Sequence, residues 1–287
     1  MKRRIWALAA VAVGALAAVA AGCGGGGSSE PTKVAVNVTE KGNAAAVQVP
    51  AKIEGGAVEL TLDNAKNRAP HDAQVIRLTG GHTYEQAAPI INSQKAQPIP
   101  DWIQGYGGVG TTNPGQTGTA TVQLDEGHYV LVDDAVGGSQ PPHTEFDVSG
   151  DNGADLPSTD ATVTAATTGQ ENPEYEWKTD GLKAGENTIT FDAQGQKALH
   201  VIVAAPIKGS ATIEQVGQEL DSNGPPHSLD VQNSASTPVI DGGKKQVAQL
   251  NLKPGRYAFI CFLPDRDEPN KPHYKTGLLK EVTIPQS

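Results

Sequence analysis

Sulfur is nearly absent from this chain. Two cysteines and one methionine, Met1, occur in 287 residues. No disulfide framework can therefore staple the fold. Aromatic residues make up only 5% and apolar residues 37%, a modest supply that suffices for small β-sandwiches built from aliphatic side chains. Basic residues are also in deficit, with 22 Lys and Arg against 32 Asp and Glu and a net charge of −10. Nucleic acid needs Lys and Arg for its phosphates, and so does adhesion to anionic lipid; this chain offers neither ligand a surface. No long stretch carries helical periodicity, which excludes a helical bundle. The sequence contains no phosphate-binding loop, no Gly-x-Ser-x-Gly elbow and no His-x-His pair. Ser228 beside His227 has no orienting acid. Nothing here marks an enzyme.

What the chain has in quantity is glycine and proline, 33 and 20 residues, the supply a turn-rich β-protein uses. Its first residues read as an export leader. Lys2, Arg3 and Arg4 precede an apolar run over 5–21 that is short for a membrane span and ends in small residues. The end of the run, Val19-Ala20-Ala21-Gly22-Cys23, resembles the bacterial lipobox, although a larger aliphatic residue is commoner where Ala20 stands. That resemblance implies cleavage before Cys23, lipidation of its thiol, and an extracytoplasmic protein anchored to the cell membrane. Residues 24–32, which include Gly24 to Gly27, Ser28 and Ser29, read as a flexible tether. Removing the leader, which holds three basic and no acidic residues, takes the net charge from −10 to −13. Cys261 then remains as the single thiol in a compartment that oxidises exposed thiols.

The mature part is expected to be all-β. Alternating or β-branched runs recur between Gly, Pro, Asn and Asp. They lie at 33–38 (KVAVNV), 57–62, 72–78, 119–124, 187–191, 200–204, 246–252 and 257–262. Short helices fit at 83–91, where Pro89 limits the length, and at 212–220. The two halves also match. Leu124-Asp-Glu-Gly127-His-Tyr129 aligns with Leu252-Lys-Pro-Gly255-Arg-Tyr257 at an offset of 128, and Leu60-Thr-Leu62-Asp63 aligns with Ile189-Thr-Phe191-Asp192 at an offset of 129. The latter offset also carries His71 onto His200, and Pro142-His143 matches Pro272-His273 at 130. A gene duplication is the simplest account. We expect domains at 33–150 and 158–287, each a β-sandwich, with the boundary in the polar stretch around 149–158.

The segment Tyr257-Ala-Phe-Ile-Cys261-Phe-Leu-Pro-Asp, continued by Lys-Pro-His273-Tyr-Lys-Thr-Gly277-Leu278, resembles the C-terminal end of cupredoxins, the blue copper family. In that family a strand ends on a Cys ligand, a loop brings a His, and a Met often follows five residues later. The other His lies on an earlier strand, where His200 stands here. The resemblance implies two tandem cupredoxin-like Greek-key sandwiches, with copper held in the second by His200, Cys261 and His273. Two imidazoles and a thiolate in a plane, with a weak axial group, are what a blue site requires. The implied role is one-electron transfer or copper handling with a redox partner protein. The sequence departs from the pattern twice. Leu278 occupies the axial place, and eleven residues (262–272) separate Cys261 from His273, a longer loop than is usual in the family. Zinc on the same three residues is an alternative.

In the first half, Asp133 stands where the Cys would be and Val148 in the axial place. His71, Asp133 and His143 could hold a harder divalent ion, but not a blue copper; a degenerate, structural copy is the other reading. The rival to the metal reading as a whole is a metal-free cell-surface binding module. Cys261 would then be a small core residue, and the loop over 99–110 would face a partner; for Trp102 and Tyr106 within it, half-buried loop anchors are the commoner reading. His82, His128 and His227 read as surface imidazoles.

Overall fold

A computed structural model describes residues 29–286 except 43, 94, 136–140, 169–174 and 223–225. The leader, Cys23 and the glycines of the tether lie outside the described residues. Among the described residues, no helix is long and apolar enough to cross a membrane.

The chain is mainly β-strand, with two short helices. The alternating runs become strands with one buried and one wet face, as in Thr32–Lys41, where Val34 and Val36 point inward. Runs without alternation, such as Gly255–Ile260, are buried over their apolar stretch. Both helices form where expected, at Tyr84–Ile91 and Ile213–Leu220, and each starts with a Thr capping box. Pro89 sits inside the first helix, which ends two residues later.

The pairing repeats between the halves. Thr32–Lys41 runs parallel to Gly56–Asp63, with Val34 opposite Leu60; Ala161–Thr167 runs parallel to Gly185–Ala193, with Val163 opposite Phe191. Gly127–Val132 pairs antiparallel with His143–Ser149, and Gly255–Ile260 pairs antiparallel with Leu279–Ile284. The repeated Gly-x-Tyr has a local reason. The Tyr129 hydroxyl donates to the Asp125 carbonyl at 2.8 Å, and the Tyr257 hydroxyl accepts from the Lys253 amide at 2.9 Å, so each ring reaches back four residues across the turn. Each half also has its own apolar core. One is built around Leu60, Leu62, Val122 and Tyr129, the other around Trp177, Phe191, Phe259 and Cys261.

The halves are nonetheless joined edge to edge. Lys245–Leu252 pairs with Thr117–Leu124, so one eight-stranded sheet runs from Tyr175–Asp180 to Ala44–Gln48. A second link pairs Ile240 with Tyr106. An open sheet edge presents unpaired backbone groups, and here each half covers the edge of the other.

Two expectations change. Residues 103–112 are not a loop awaiting a partner. They form the strand Ile103–Thr112, mostly buried, and its Gly105, Gly107 and Gly110 face the second half. A Cβ on Gly107 would stand 2.1 Å from the Gln246 side-chain oxygen, and one on Gly110 would stand 2.2 Å from the Ser236 carbonyl. Tyr106 is buried, with its hydroxyl on Asp125, and Trp102 stacks on His82. Likewise, the run expected as a single strand over 200–204 is split. Leu199–His200 pairs in one sheet and Val203–Pro206 in another. Between them the Ile202 amide donates to the Thr237 hydroxyl, a side chain standing in for a ladder partner.

Gln74 shows how polar the seam is. Its amide nitrogen donates to the carbonyls of Gly107 and Val239, and its oxygen accepts from the Val239 amide at 2.6 Å. Gln74→Ala leaves the Val239 amide without its partner, while the Val239 carbonyl keeps the Gly107 amide. We expect a loss of about 1–3 kcal/mol in unfolding free energy, measured by urea denaturation.

Candidate metal centre

Cys261 is the residue after the strand Gly255–Ile260, still within the buried run. The chain then leaves the sheet and returns. Backbone bonds from the Cys261 amide to the Leu278 carbonyl and from the Tyr274 amide to the Cys261 carbonyl close the return. His273 begins a single 3-10 turn, His273–Lys275, and its amide donates to Leu263. The long excursion over 262–272 thus ends beside the residue where it started. His200 arrives separately, on Leu199–His200, held by pairing with Ile240–Asp241.

The three predicted ligands meet. His200 and Cys261 are 0% exposed and His273 is 1% exposed. Their potential ligand atoms all lie within 4.8 Å of one another, and among the described residues this is the group of three or more His, Cys, Asp or Glu close enough to share an ion. The Cys261 sulfur lies 4.0 Å from His200 Nδ1 and 3.5 Å from His273 Nδ1. Metal bonds of about 2.3 Å to sulfur and 2.0–2.1 Å to imidazole, opened to a trigonal 120°, place sulfur and nitrogen about 3.7 Å apart. The two observed distances bracket that value, so the sulfur stands where an ion could join it to either imidazole.

The outer ring nitrogens fix the inner ones. His200 Nε2 donates to the Gln194 carbonyl at 2.7 Å, and His273 Nε2 donates to the Asp265 carboxylate at 3.1 Å. A neutral imidazole with its proton on Nε2 carries its lone pair on Nδ1. Both lone pairs therefore face the thiol. Tyr175 covers the rings, 5.2 Å from His200 and 4.5 Å from His273, and its hydroxyl donates to Asp265 at 2.7 Å. Burial pushes the Cys261 thiol up to about 12. Burial first, and then the neighbouring His273, push His200 down to about 3. Both shifts favour the neutral forms of Cys261 and His200, as burial in an apolar surround does. Burial works against the Asp265 charge, but the bonds from His273 and Tyr175 outweigh it and hold this carboxyl low.

Leu278, in the expected axial place, is fully buried in the same core cluster as Cys261. The Leu199 carbonyl lies 3.7 Å from the sulfur. Tyr175, Asp265 and the Gln194 carbonyl escaped the sequence reading. Asp265 alone left a trace, as a carboxylate four residues after the Cys in an overlong loop.

The first-half set does not assemble in the same way. His71 is buried, and its Nδ1 donates to Asp133 at 2.6 Å while its Nε2 faces Glu40 at 3.2 Å. Both nitrogens are engaged by carboxylates, so neither is turned to a shared centre with His143. Glu40 had no sequence signal; the Ala69 amide, against burial and helped by Arg68, holds its carboxyl down to about 2. His143 is exposed, with Nδ1 on the Pro141 carbonyl and its ring against Tyr84. Val148 is buried in the first-half core. His128 lies on Asp147, His227 is exposed, and Ser228 is bonded to Glu219.

No protein-family description matches the sequence, and no curated protein matches it either. Among solved structures, the chain is similar to dithionite-reduced auracyanin from Roseiflexus castenholzii at 16% identity, over 43% of this chain and 99% of that one, with a TM-score of 0.28. Auracyanin B overlaps at 20% identity over 44% and 87%, with a TM-score of 0.28. Lac15 from a marine microbial metagenome overlaps at 14% identity over 79% and 61%, with a TM-score of 0.27.

Beside the first-half cluster, burial and the charges of Asp133 and Asp134 push Asp72 up to about 7. The unfolded value for Asp is about 3.9. The folded state thus binds the proton more tightly, and this group's contribution to stability falls as pH rises from about 4 through 7. Asn keeps an oxygen for the Asp134 amide, which donates to Asp72 at 2.7 Å. Asp72→Asn is expected to be more stable than the wild type above pH 7 and equal to it below pH 4, compared by urea midpoints.

Proposed function

We propose that this chain is a lipid-anchored, extracytoplasmic protein of two tandem cupredoxin-like sandwiches, and that its second half binds copper for one-electron transfer or copper handling. The observation that carries this reading is the convergence of His200 Nδ1, His273 Nδ1 and the Cys261 sulfur in a buried cluster. His200 and His273 would supply imidazole nitrogens and Cys261 a thiolate. Copper held this way supplies a one-electron redox couple. The protein's part is to hold the ligands. The Nε2 bonds keep both rings oriented, and the backbone bonds at Cys261 and His273 keep the two ends of the loop together.

Burial of all three residues suits an electron, which can pass through protein, better than a substrate, which needs a cleft. We therefore read the chain as a non-enzymatic partner of another redox protein. The choice of copper over zinc rests on the donor set. Closed zinc sites take four strong ligands, whereas this cluster has three and a leucine in the axial place. The repeated pairing and the repeated Gly-x-Tyr turn favour an origin by duplication. The metal-free binding module loses its main support, because the segment offered for a partner packs on the chain's own second half.

Adding Cu(II) to the purified protein is expected to produce an intense thiolate-to-copper absorption near ~600 nm that Cys261→Ser abolishes. No band and no bound copper would sink the reading. For the anchor, a labelled fatty acid fed to a bacterial host is expected to appear on the chain and to be lost with Cys23→Ser. Equal labelling of both would remove the lipid from the account.

A further inference from the structure

The loop between Cys261 and His273 has two neighbouring residues that point to different parts of the molecule. Asp265 turns toward the centre, where its carboxylate accepts from His273 Nε2 and the Tyr175 hydroxyl. Arg266 turns away from it and is 6% exposed. Its Nη2 donates to both Asp241 oxygens, at 2.8 and 2.7 Å. Its Nη1 donates to the carbonyls of Pro100 and Ile99, at 2.9 and 3.4 Å. The backbone joins in, since the Ile99 amide donates to the Arg266 carbonyl and the Arg266 amide donates to the Lys197 carbonyl.

Ile99 and Pro100 belong to the first half. Asp241 is bound to that half as well, because one of its oxygens accepts from the Gly105 amide at 2.9 Å. The same short strand, Ile240–Asp241, is the ladder partner of Leu199–His200 on one side and touches Tyr106 on the other. Both imidazoles therefore trace back to the first half. His200 does so through Ile240 to Tyr106, and His273 through Asp265 and Arg266 to Ile99 and Pro100. A planar guanidinium with a bidentate carboxylate and two carbonyls is a fixed fork, which an ammonium cannot reproduce.

We propose that the first half of the chain is the positioning scaffold of the metal centre, with Asp265 and Arg266 as the positioning residues that transmit its hold to His273. The metal part rests on the copper reading above; the mechanical part does not. This assigns the degenerate half a task it can perform without a metal of its own. It also accounts for the length of the Cys–His loop, which must reach both the centre and the other half.

Two measurements test the proposal on the full-length protein. The first is Cu(II) affinity and the visible spectrum. The second uses metal-free protein and follows an aromatic disulfide reagent onto Cys261, read by mass spectrometry of the peptide that carries it. Arg266→Gln is expected to weaken Cu(II) binding about 10–100-fold, the range for loss of a group that orients a metal ligand, and to shift the absorption band. The same variant is expected to speed labelling of the buried Cys261 about tenfold or more by local opening of the loop. Arg266→Lys, a milder change in case the first variant does not fold, is expected to fall between the two. Arg256→Gln breaks a more exposed ion pair with Glu281, outside the loop, and is expected to change neither readout. A folded Arg266→Gln protein with unchanged affinity, spectrum and labelling rate would overturn the proposal. So would equal effects from Arg256→Gln. If the wild type bound no Cu(II), the metal part would fall, and the labelling rates would still decide for or against the clamp.

Discussion

Two hydrogen bonds on the far sides of two imidazole rings govern this molecule. The Gln194 carbonyl and the Asp265 carboxylate take the Nε2 protons of His200 and His273, which leaves both Nδ1 lone pairs aimed at one buried sulfur. Were either ring turned, a donor would face the thiol and the cluster would have no common acceptor centre. A buried polar group without a partner costs on the order of 1–3 kcal/mol, so these bonds also make it tolerable to place two imidazoles in a dry core. In the first half His71 shows the contrary arrangement. Carboxylates on both edges of His71 close the site that the second half leaves open.

The surrounding architecture serves that constraint. A strand delivers Cys261, a single turn delivers His273, and backbone bonds hold the two together. His200 comes from a two-residue strand whose ladder partner is shared with the first half. Rigid elements place ligands more accurately than loops, and here the one long loop is fastened at Arg266. The seam between the halves is therefore part of the site's support as well as a covered sheet edge. Its polar bonds through Gln74, Asp241 and Arg266 give it a fixed register, which an aliphatic contact alone would not.

Much of this was legible in the sequence, for identifiable reasons. Strands with alternating or β-branched runs were found because their periodicity reports burial directly, as at Thr32–Lys41 and Lys245–Leu252. The three residues of the cluster were found because Cys261 and His273 sit in a recognisable order and His200 stands at a fixed offset from His71. The strand Ile103–Thr112 was missed because its glycines carry no side-chain pattern; they exist for close approach of another backbone, which sequence alone does not reveal. The split at His200 was missed because a Thr hydroxyl 35 residues away supplies the missing bond. Tyr175, Asp265 and Arg266 were missed for a related reason. Their roles depend on partners distant in sequence, and a lone tyrosine or arginine has no motif.

The central claim is that two imidazole nitrogens and one thiolate hold a single copper ion inside the second half. X-ray absorption at the copper edge of the metal-loaded protein tests it most directly, because the first coordination shell is read without reference to colour or activity. The account predicts one sulfur and two imidazole nitrogens as the strong scatterers, and loss of the sulfur alone in Cys261→Ser. A shell of nitrogen and oxygen only, unchanged by that substitution, would place the copper elsewhere on the protein and contradict the account.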